Sequence, residues 1–375
     1  MPRGVRSIHT DLHKSKILVK RAGNFGLKRR DFCPKTKEIR ARFRSLGVEV
    51  QDCGQTQDVE KLEGRSADLV LSPSTQEILN THREDILVAS GACDRAEIYS
   101  WQENAWYEVS EMNESHVGAS SFVYNDRLYV VGGVFTETIE MLDLNELPLK
   151  WTEYPDGFPY EIGGNPTVVY QQRVITVGGF IDDEDKNCNA ISELQLASPC
   201  TMKQLCPMPQ PRIWHAVEAF DDKVLILGGA NGDHNYDVLD GVLEFDPEKN
   251  ECKELPSLPY PVEEMATVRW RDQVVVLGGC DKDDEALNDV FMYDSKTGEN
   301  TVLPSMLEKR RGCCAVVTRN TIVVMGGVND AHGYLDSVEY FTMGGSTWKY
   351  LPSMKKERWQ AVAIVLPSTR KYVQV

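Results

Sequence analysis

The stretch Leu128-Tyr-Val-Val-Gly-Gly133 decides the fold, because close variants of it return along the chain. They read Val174-Ile-Thr-Val-Gly-Gly179, Val224-Leu-Ile-Leu-Gly-Gly229, Val274-Val-Val-Leu-Gly-Gly279 and Ile322-Val-Val-Met-Gly-Gly327. The first glycines stand at positions 132, 178, 228, 278 and 326, so consecutive copies are 46, 50, 50 and 48 residues apart. A weaker copy, Ile86-Leu-Val-Ala-Ser-Gly91, precedes them. This regular spacing predicts a repeat architecture.

Each copy predicts a buried β-strand that ends at a turn. The apolar, β-branched run suits a strand buried on both faces, and the two glycines can adopt the positive φ that lets the chain leave the sheet. We therefore assign a structural role to the glycine pairs, which are Gly132, Gly133, Gly178, Gly179, Gly228, Gly229, Gly278, Gly279, Gly326 and Gly327.

The sequence around each copy predicts four strands per repeat. A strand of small and β-branched residues precedes the copy, as at residues 215–220, and a tight polar turn separates the two. An aromatic residue or leucine marks the third strand, at Tyr99, Leu142, Leu196, Phe245, Tyr293 and Tyr340. A tryptophan marks the fourth strand in three repeats, at Trp106, Trp151 and Trp348. Proline-containing exits end four of these strands, because proline cannot continue a ladder.

A hydrophobic run, Gly-Gly, an aromatic residue and then tryptophan together resemble the kelch repeat, over residues 84–366. The resemblance implies an all-β, six-bladed β-propeller. In the kelch-like family that it resembles most, a BTB domain and a helical BACK domain precede the propeller. Only 83 residues precede it here, without the long run of amphipathic helices that those domains need. We therefore expect a propeller without BTB and BACK domains, either stand-alone or a fragment of a longer protein.

The two ends of the repeat region complement each other, which predicts how the propeller closes. The first repeat starts directly at residue 86, with no strand before its copy. Residues 358–366, Arg-Trp-Gln-Ala-Val-Ala-Ile-Val-Leu, match the first strand of a repeat and have no copy after them. We expect this C-terminal strand to complete the first blade, which would remove the exposed sheet edges.

Composition divides the chain into three parts. We expect a basic, largely irregular segment and linker at residues 1–83, the propeller at 84–366 and a tail at 367–375. Residues 1–49 hold 14 Lys and Arg against 4 Asp and Glu, a charge of +10; the whole chain carries −16, so residues 50–375 carry −26. We interpret the basic head as a solvated tail, with a mitochondrial presequence or the remnant of a longer protein as alternatives.

Charge and cysteine content restrict the expected partners and compartment. An acidic propeller argues against nucleic acid as its partner, because phosphate binding needs a basic surface. No apolar run is long enough to span a membrane, so we expect protein partners and no membrane contact. Ten cysteines without a CxxC pair, and no signal peptide, favour free thiols in a reducing, cytoplasmic compartment.

By resemblance to kelch adaptors, partner-binding residues lie on one rim, 16 and 14 residues before the first glycine of each pair. The closing strand supplies Arg358 and Gln360 by alignment. From these positions and their neighbours we select a candidate partner-binding rim of Arg212, Trp214, Glu264, Arg310, Arg311, Arg358 and His116. Arginine and tryptophan are frequent binding hot spots. The alternative is that Arg212, Arg310 and Arg358 pair with neighbouring carboxylates or carbonyls.

Charged runs are expected on the same rim. Asp182-Asp-Glu-Asp185 and Asp281-Lys-Asp-Asp-Glu285 are acidic, whereas Lys309-Arg-Arg311 is basic. Such a rim would steer a partner of mixed charge. The alternatives for each acidic run are plain solvated surface or a calcium site, although neither has EF-hand spacing.

Two kelch-type enzyme classes fit the sequence poorly. Copper oxidases of this fold need several His and Tyr ligands, but only four of the seven histidines lie in the repeats, and they are scattered. Iron-dependent specifier proteins carry Glu-x3-Asp-x3-His, whereas this chain has Tyr293 after Glu285 and Asp289. We therefore predict no catalytic residue, no metal and no cofactor.

The resemblance implies a non-enzymatic protein-interaction module. Within the kelch-like family this means recognition of a substrate, or an adaptor role, for a cullin-based ubiquitin ligase. The alternatives are an actin-associated kelch scaffold and a metal-dependent kelch-fold enzyme.

Overall fold

A computed structural model describes residues 83–91, 93–134, 136–181, 186–231, 237–368 and 372. All of them belong to one compact unit that begins at Arg83. The expectations for the basic head and linker, and for the acidic run at residues 182–185, lie outside the described residues.

The described residues form strands and no helices. The first half of the chain contributes β1 (Ile86–Ser90), β2 (Ala96–Ser100), β3 (Ala105–Glu108), β4 (Ser120–Tyr124), β5 (Arg127–Val131), β6 (Ile139–Asp143), β7 (Trp151–Glu153), β8 (Ile162–Gly163), β9 (Thr167–Tyr170), β10 (Arg173–Val177), β11 (Phe180–Ile181), β12 (Lys186–Asn187), β13 (Ala190–Gln195) and β14 (Thr201–Pro207). The second half contributes β15 (Ala216–Ala219), β16 (Val224–Leu227), β17 (Val242–Asp246), β18 (Glu251–Leu255), β19 (Ala266–Trp270), β20 (Gln273–Leu277), β21 (Val290–Asp294), β22 (Asn300–Leu303), β23 (Cys314–Thr318), β24 (Thr321–Met325), β25 (Val328–Asn329), β26 (Gly333–Tyr334), β27 (Val338–Thr342), β28 (Lys349–Leu351) and β29 (Ala361–Val365).

These strands pair into four-stranded antiparallel sheets, which we number as blades in chain order. Blade 1 is β29-β1-β2-β3, blade 2 is β4-β5-β6-β7, and blade 3 is β9-β10-β13-β14. Blade 4 is β15-β16-β17-β18, blade 5 is β19-β20-β21-β22, and blade 6 is β23-β24-β27-β28. The short strands β8-β11-β12 and β25-β26 form two small sheets of their own. The all-β architecture of repeated four-stranded antiparallel sheets that the sequence predicts is confirmed.

The first strand of each blade contacts the first strands of two other blades. In order around the cycle, β29 contacts β4, β4 contacts β9, β9 contacts β15, β15 contacts β19, β19 contacts β23, and β23 contacts β29. The blades therefore surround a common axis, with these six strands innermost. In blade 1, the innermost strand comes from the C-terminal end of the repeats, and it pairs with β1 from Ile86↔Val365 to Ser90↔Ala361.

The core lies between neighbouring blades. Leu87 and Ala89 of β1 pack in a cluster shared with blade 2, whereas Ile86 and Val88 pack in a cluster shared with blade 6. All of them are fully buried. The second strand of a blade is thus covered on both faces, which explains why it reads as a continuous apolar run.

Two glycines per repeat let the chain leave the second strand. Gly326 has a φ of 63°, and a Cβ there would lie 2.4 Å from the carbonyl oxygen of Arg358. In the weak first copy, Ser90 takes the same left-handed conformation, with a φ of 60°. Its hydroxyl donates to the His116 carbonyl (2.7 Å), a bond inside the protein that a glycine could not make.

Candidate functional site: the channel mouth

One residue of each repeat turns the chain at the same end of the propeller axis. These six residues stand 14 positions before the first glycine of their repeat, or align with that position in the closing segment. All have a left-handed backbone, with φ of 67° at Gly118, 65° at Gly164, 52° at Trp214, 50° at Glu264, 58° at Gly312 and 52° at Gln360. We call them the mouth residues.

Backbone hydrogen bonds join the mouth residues in blade order. Five of the six amides donate to the carbonyl of the preceding mouth residue: Gly164 to Gly118 (3.0 Å), Trp214 to Gly164 (3.3 Å), Glu264 to Trp214 (3.0 Å), Gly312 to Glu264 (2.9 Å) and Gln360 to Gly312 (2.7 Å). These bonds form a belt that crosses all six blades. The belt brings side chains that are about 50 residues apart in sequence to one place.

Three of the mouth residues are glycines, and the side chains of their neighbours cover them. A Cβ at Gly164 would lie 3.0 Å from Cε3 of Trp214, and a Cβ at Gly118 would lie 3.0 Å from Cη2 of the same indole. At Gly312 a Cβ would lie 2.3 Å from Nε1 of Trp359. The two indoles therefore lie over the belt, and both stay partly exposed.

Glu264 presents a carboxylate between these indoles. Nε1 of Trp359 donates to its Oε2 at 3.4 Å, and Nε2 of Gln360 donates to its Oε1 at 3.5 Å, both long hydrogen bonds. Burial raises the pKa of Glu264, although the nearby Arg311 acts in the opposite direction. Among the described residues, Glu264 makes no ion pair.

Arg311 is the cation nearest in sequence to the mouth glycine of blade 6, and it is already occupied. Its guanidinium pairs with Asp284 and also lies near the thiol of Cys280. Burial raises the pKa of Cys280 to about 12, so that thiol remains protonated. Tyr334 completes this side of the mouth: its ring centroid lies 6.2 Å from that of Trp359, and half of its surface is exposed.

The structure corrects part of the predicted partner-binding rim. Arg310 and Arg358 are fully buried, so they cannot touch a partner. Arg310 donates to Glu339 (2.9 Å) and to the Gly326 carbonyl (2.8 Å). Arg358 donates to Glu97 at 2.8 Å and also to two backbone carbonyls. The alternative interpretation, in which these arginines pair internally, describes them correctly.

Arg212 and His116 are also buried, so their assignment to the rim is wrong as well. Arg212 donates to the carbonyl oxygens of Gly228 (2.9 Å) and Gly241 (2.7 Å). In His116, one ring nitrogen contacts the Gly132 carbonyl at 2.7 Å and the other contacts Glu140 at 3.3 Å. All four basic side chains stand two residues before a mouth residue and contact backbone carbonyl oxygens.

Trp214, Glu264 and Arg311 are the selected rim residues that the structure brings to the mouth. Gln360 also lies at the mouth. Its alignment with the positions 14 residues before each first glycine was a signal that could have added it to the rim. Trp359 and Tyr334 were missed, because neither stands at a repeated spacing that marks the mouth. They reach it from the closing segment and from the β25-β26 hairpin.

The described acidic run at residues 281–285 is folded on itself. Oδ1 of Asp281 accepts from the amides of Asp283 (2.9 Å) and Glu285 (3.1 Å). Nζ of Lys309 lies 3.7 Å from the Glu285 carboxylate. Over the described parts of the chain, no group of three or more His, Cys, Asp or Glu side chains is arranged to hold a metal ion. Nor does any described helix meet the length and hydropathy needed to cross a membrane.

Comparisons with known proteins agree with this architecture. Residues 163–367 match the family model of the KLHDC2/KLHL20/DRC7 Kelch-repeats domain, which is more than half of the chain. Among solved structures, that of YjhT is similar with a TM-score of 0.59 and 15% identity, covering 67% of this chain and 88% of that one. At this identity, the similarity bears on the fold alone.

Two curated proteins align with parts of the chain. Spermatocyte protein spe-26 of Caenorhabditis elegans is 26% identical over 211 residues, which is 52% of this chain and 36% of that protein. Kelch-like protein 33 of Homo sapiens is 35% identical over 78 residues, which is 21% of this chain and 14% of that protein. The chain therefore spans only a minor part of the length of either relative.

Proposed function

Since the chain belongs to the kelch-repeat family, we propose that it is a non-enzymatic protein-interaction module that binds a segment of a partner protein at the channel mouth. Kelch domains generally bind proteins, and loops carried by a rigid scaffold are the usual place for binding. The proposal locates that binding at the belt of mouth residues and not at the buried arginines.

The convergence of Trp214, Glu264 and Trp359 on one partly exposed spot carries this proposal. The left-handed position that is glycine in three repeats has acquired a large or charged side chain in the other three. A non-glycine residue there costs backbone strain, which is expected where function requires it. Tryptophan is also the residue most enriched in binding hot spots.

We further propose that the module recognises a substrate, or acts as an adaptor, for a cullin-based ubiquitin ligase. Support comes from the alignment with Kelch-like protein 33, which covers 14% of that protein. We also propose a cytoplasmic location. The eight cysteines that the structure describes are all free, as expected in a reducing compartment.

The test is affinity capture from cell lysate with the full chain and two variants. Trp214→Gly removes the indole but keeps the backbone conformation that other repeats adopt with glycine. Tyr350→Ala removes a half-exposed aromatic residue from the outer strand of blade 6, far from the belt, and serves as control. We expect proteins, including a cullin, that are captured by wild type and Tyr350→Ala but lost with Trp214→Gly.

An identical set of captured proteins for all three chains would contradict the proposal. Metal analysis of the same purified protein tests the enzyme alternative. Stoichiometric copper or iron, together with the absence of any mouth-dependent partner, would favour a kelch-fold enzyme instead.

A further inference from the structure

We propose that the channel mouth accepts a cationic side chain, lysine or arginine, of the partner protein, with the Glu264 carboxylate as its counter-ion. This inference rests on the proposed function and names the chemistry of the partner at that same site. Three features of the mouth support it: a carboxylate without an ion-pair partner, an aromatic lining, and a buried acceptor without a hydrogen-bond partner.

Glu264 is a partly buried carboxylate that makes no ion pair among the described residues and accepts only two long hydrogen bonds. Its backbone is fixed in the belt on both sides, by Trp214 (3.0 Å) and by Gly312 (2.9 Å), so the side chain cannot swing away with its main chain. Burying a carboxylate is costly unless a cation or strong donors compensate it. Its two donors are at 3.4 and 3.5 Å, beyond the ordinary range. An incoming cation would supply the missing compensation.

The internal cation that could have neutralised Glu264 is engaged elsewhere. Arg311 pairs with Asp284, so it acts on Glu264 only from a distance and makes no ion pair with it. Elsewhere in the repeats, buried carboxylates such as Glu339 and Glu97 do have an arginine at hydrogen-bond distance. Glu264 thus differs from them in the way expected of a carboxylate kept for an external ligand.

Aromatic rings line the mouth, and one of them, Trp359, contacts this carboxylate. Trp214 covers the mouth glycines on one side, and Trp359 with Tyr334 covers the other. The faces of such rings attract a lysine ammonium or an arginine guanidinium, most strongly where water is partly excluded. They also offer apolar surface to the aliphatic stem of these side chains.

One buried acceptor atom at the mouth has no hydrogen-bond partner among the described residues. This atom is Oε1 of Gln360. It lies 3.0 Å from where a Cβ of Gly118 would be, and the Trp214 ring lies equally close to that point. The neighbouring donors Nε1 of Trp359 and Nε2 of Gln360 are directed at Glu264 and not at this acceptor. An ammonium or guanidinium brings only donors, so it fits, whereas an acidic side chain would meet acceptors.

A selection of random peptides displayed on phage tests this inference. The full chain is used as wild type, Glu264→Gln, Trp214→Gly and Glu299→Gln. Glutamine keeps the shape of Glu264 without its charge. Glu299→Gln makes the same charge change at an exposed position of blade 5 near its outer strand. We expect wild-type binders to share a lysine or arginine position.

Binding of one selected peptide to each variant, and of its copy with norleucine at the basic position, then separates the outcomes. We expect Glu264→Gln and the norleucine copy each to weaken binding at least about tenfold, and Glu299→Gln to leave it unchanged. Binders that depend on Trp214 but carry no basic position, or that ignore Glu264→Gln, would overturn the cation site and leave the proposed function standing. Binders that ignore Trp214→Gly would overturn both.

Discussion

At the scale of single residues, the blades differ in which groups compensate the buried arginine that stands 16 positions before the first glycine of the pair. In blade 6, Arg310 meets the buried carboxylate of Glu339 at 2.9 Å. In blade 4, the strand registers put Leu243 at the position of Glu339, so Arg212 finds carbonyl oxygens but no carboxylate. Burial accordingly lowers the pKa of Arg212 to about 10. The same consensus base is therefore well compensated in one blade and poorly in another.

This difference predicts opposite sensitivities for two matched substitutions. Arg310→Met leaves Glu339 buried and unpaired, and should lower the free energy of unfolding by about 3 to 5 kcal/mol. Arg212→Met removes a poorly compensated charge and loses two hydrogen bonds to carbonyls, so its cost should be about 1 kcal/mol. Urea unfolding of both variants measures the two costs. Equal costs would show that the glutamate does not matter to the buried base.

Two titratable groups of blade 4, the buried His215 and the half-buried Glu218, should also give opposing pH dependences. Burial and the neighbouring Arg212 lower the pKa of His215 to about 3, with the Val177 carbonyl acting weakly the other way. As pH falls, the unfolded chain takes up a proton on this histidine before the folded chain does. His215 therefore makes the folded state less stable as pH drops below the ordinary pKa of histidine. Burial raises the pKa of Glu218 to about 7, despite a hydrogen bond from Thr267 (2.8 Å). The folded state then holds the extra proton, and stability falls as pH rises.

Removing either group should expose the effect of the other. Between about pH 5 and pH 7, each contributes about 2 kcal/mol with opposite sign. Relative to wild type, His215→Leu should become less stable with rising pH, and Glu218→Gln should become more stable. Urea unfolding of the three proteins at both pH values checks this. Parallel pH profiles would mean that neither group is shifted as described.

The residue scale also shows where sequence reasoning reached its limit. The 16- and 14-residue spacings located both the buried bases and the mouth residues, but they could not separate them. The resemblance places both positions on one rim, so it predicts that Arg212 and Trp214 are both available to a partner. The left-handed φ of 52° at Trp214 turns the chain between them. The left-handed conformation of Trp214 could not be predicted from the sequence, because tryptophan rarely adopts it.

At the scale of elements, the repeat spacing predicted the second strands well and the third strands less well. Each second strand ends at its glycine pair, so its position is unambiguous. On the third strand, Leu194 pairs with Val174 and Phe341 with Ile322, whereas we had marked Leu196 and Tyr340. Loops of different length separate the second and third strands, so the spacing does not fix their register. Burial of alternate residues decides it instead.

The closing strand β29 gives the element-scale prediction. It covers the inner edge of β1, and Arg358 just before it donates to carbonyls of blade 1. Deleting residues 358–375 should leave that edge open and Glu97 buried without its arginine. We expect the chain to lose cooperative unfolding and to associate, as judged by thermal unfolding and size-exclusion chromatography.

Deleting residues 373–375 alone is the matched control and should leave both readouts unchanged, because it keeps Tyr372, whose hydroxyl donates to the Leu144 carbonyl. A peptide spanning residues 355–368, added to the shortened chain, should restore part of the cooperative transition. A shortened chain that unfolds as sharply as wild type and stays monomeric would show that β29 is dispensable for the ring.

At the scale of the whole molecule, charge distribution and closure act together. The six innermost strands contact one another in a complete cycle, so the mouth stands at one end of a rigid body. Residues 50–375 carry a formal charge of −26, from 27 Lys and Arg against 53 Asp and Glu. Such a charge attracts a basic partner over a distance set by ionic strength. Attraction over distance and contact at Glu264 are therefore separate contributions to binding.

These two contributions should separate kinetically. The association rate of a basic, mouth-dependent peptide should fall by about tenfold between about 50 mM and about 500 mM NaCl, because salt screens the whole acidic surface. Glu264→Gln removes one charge out of many, so it should leave that salt dependence almost unchanged and act mainly on the dissociation rate. Surface plasmon resonance of wild type and variant over a salt series measures both rates. If the variant instead lost the salt dependence of association, one mouth carboxylate and not the acidic body would be steering the partner.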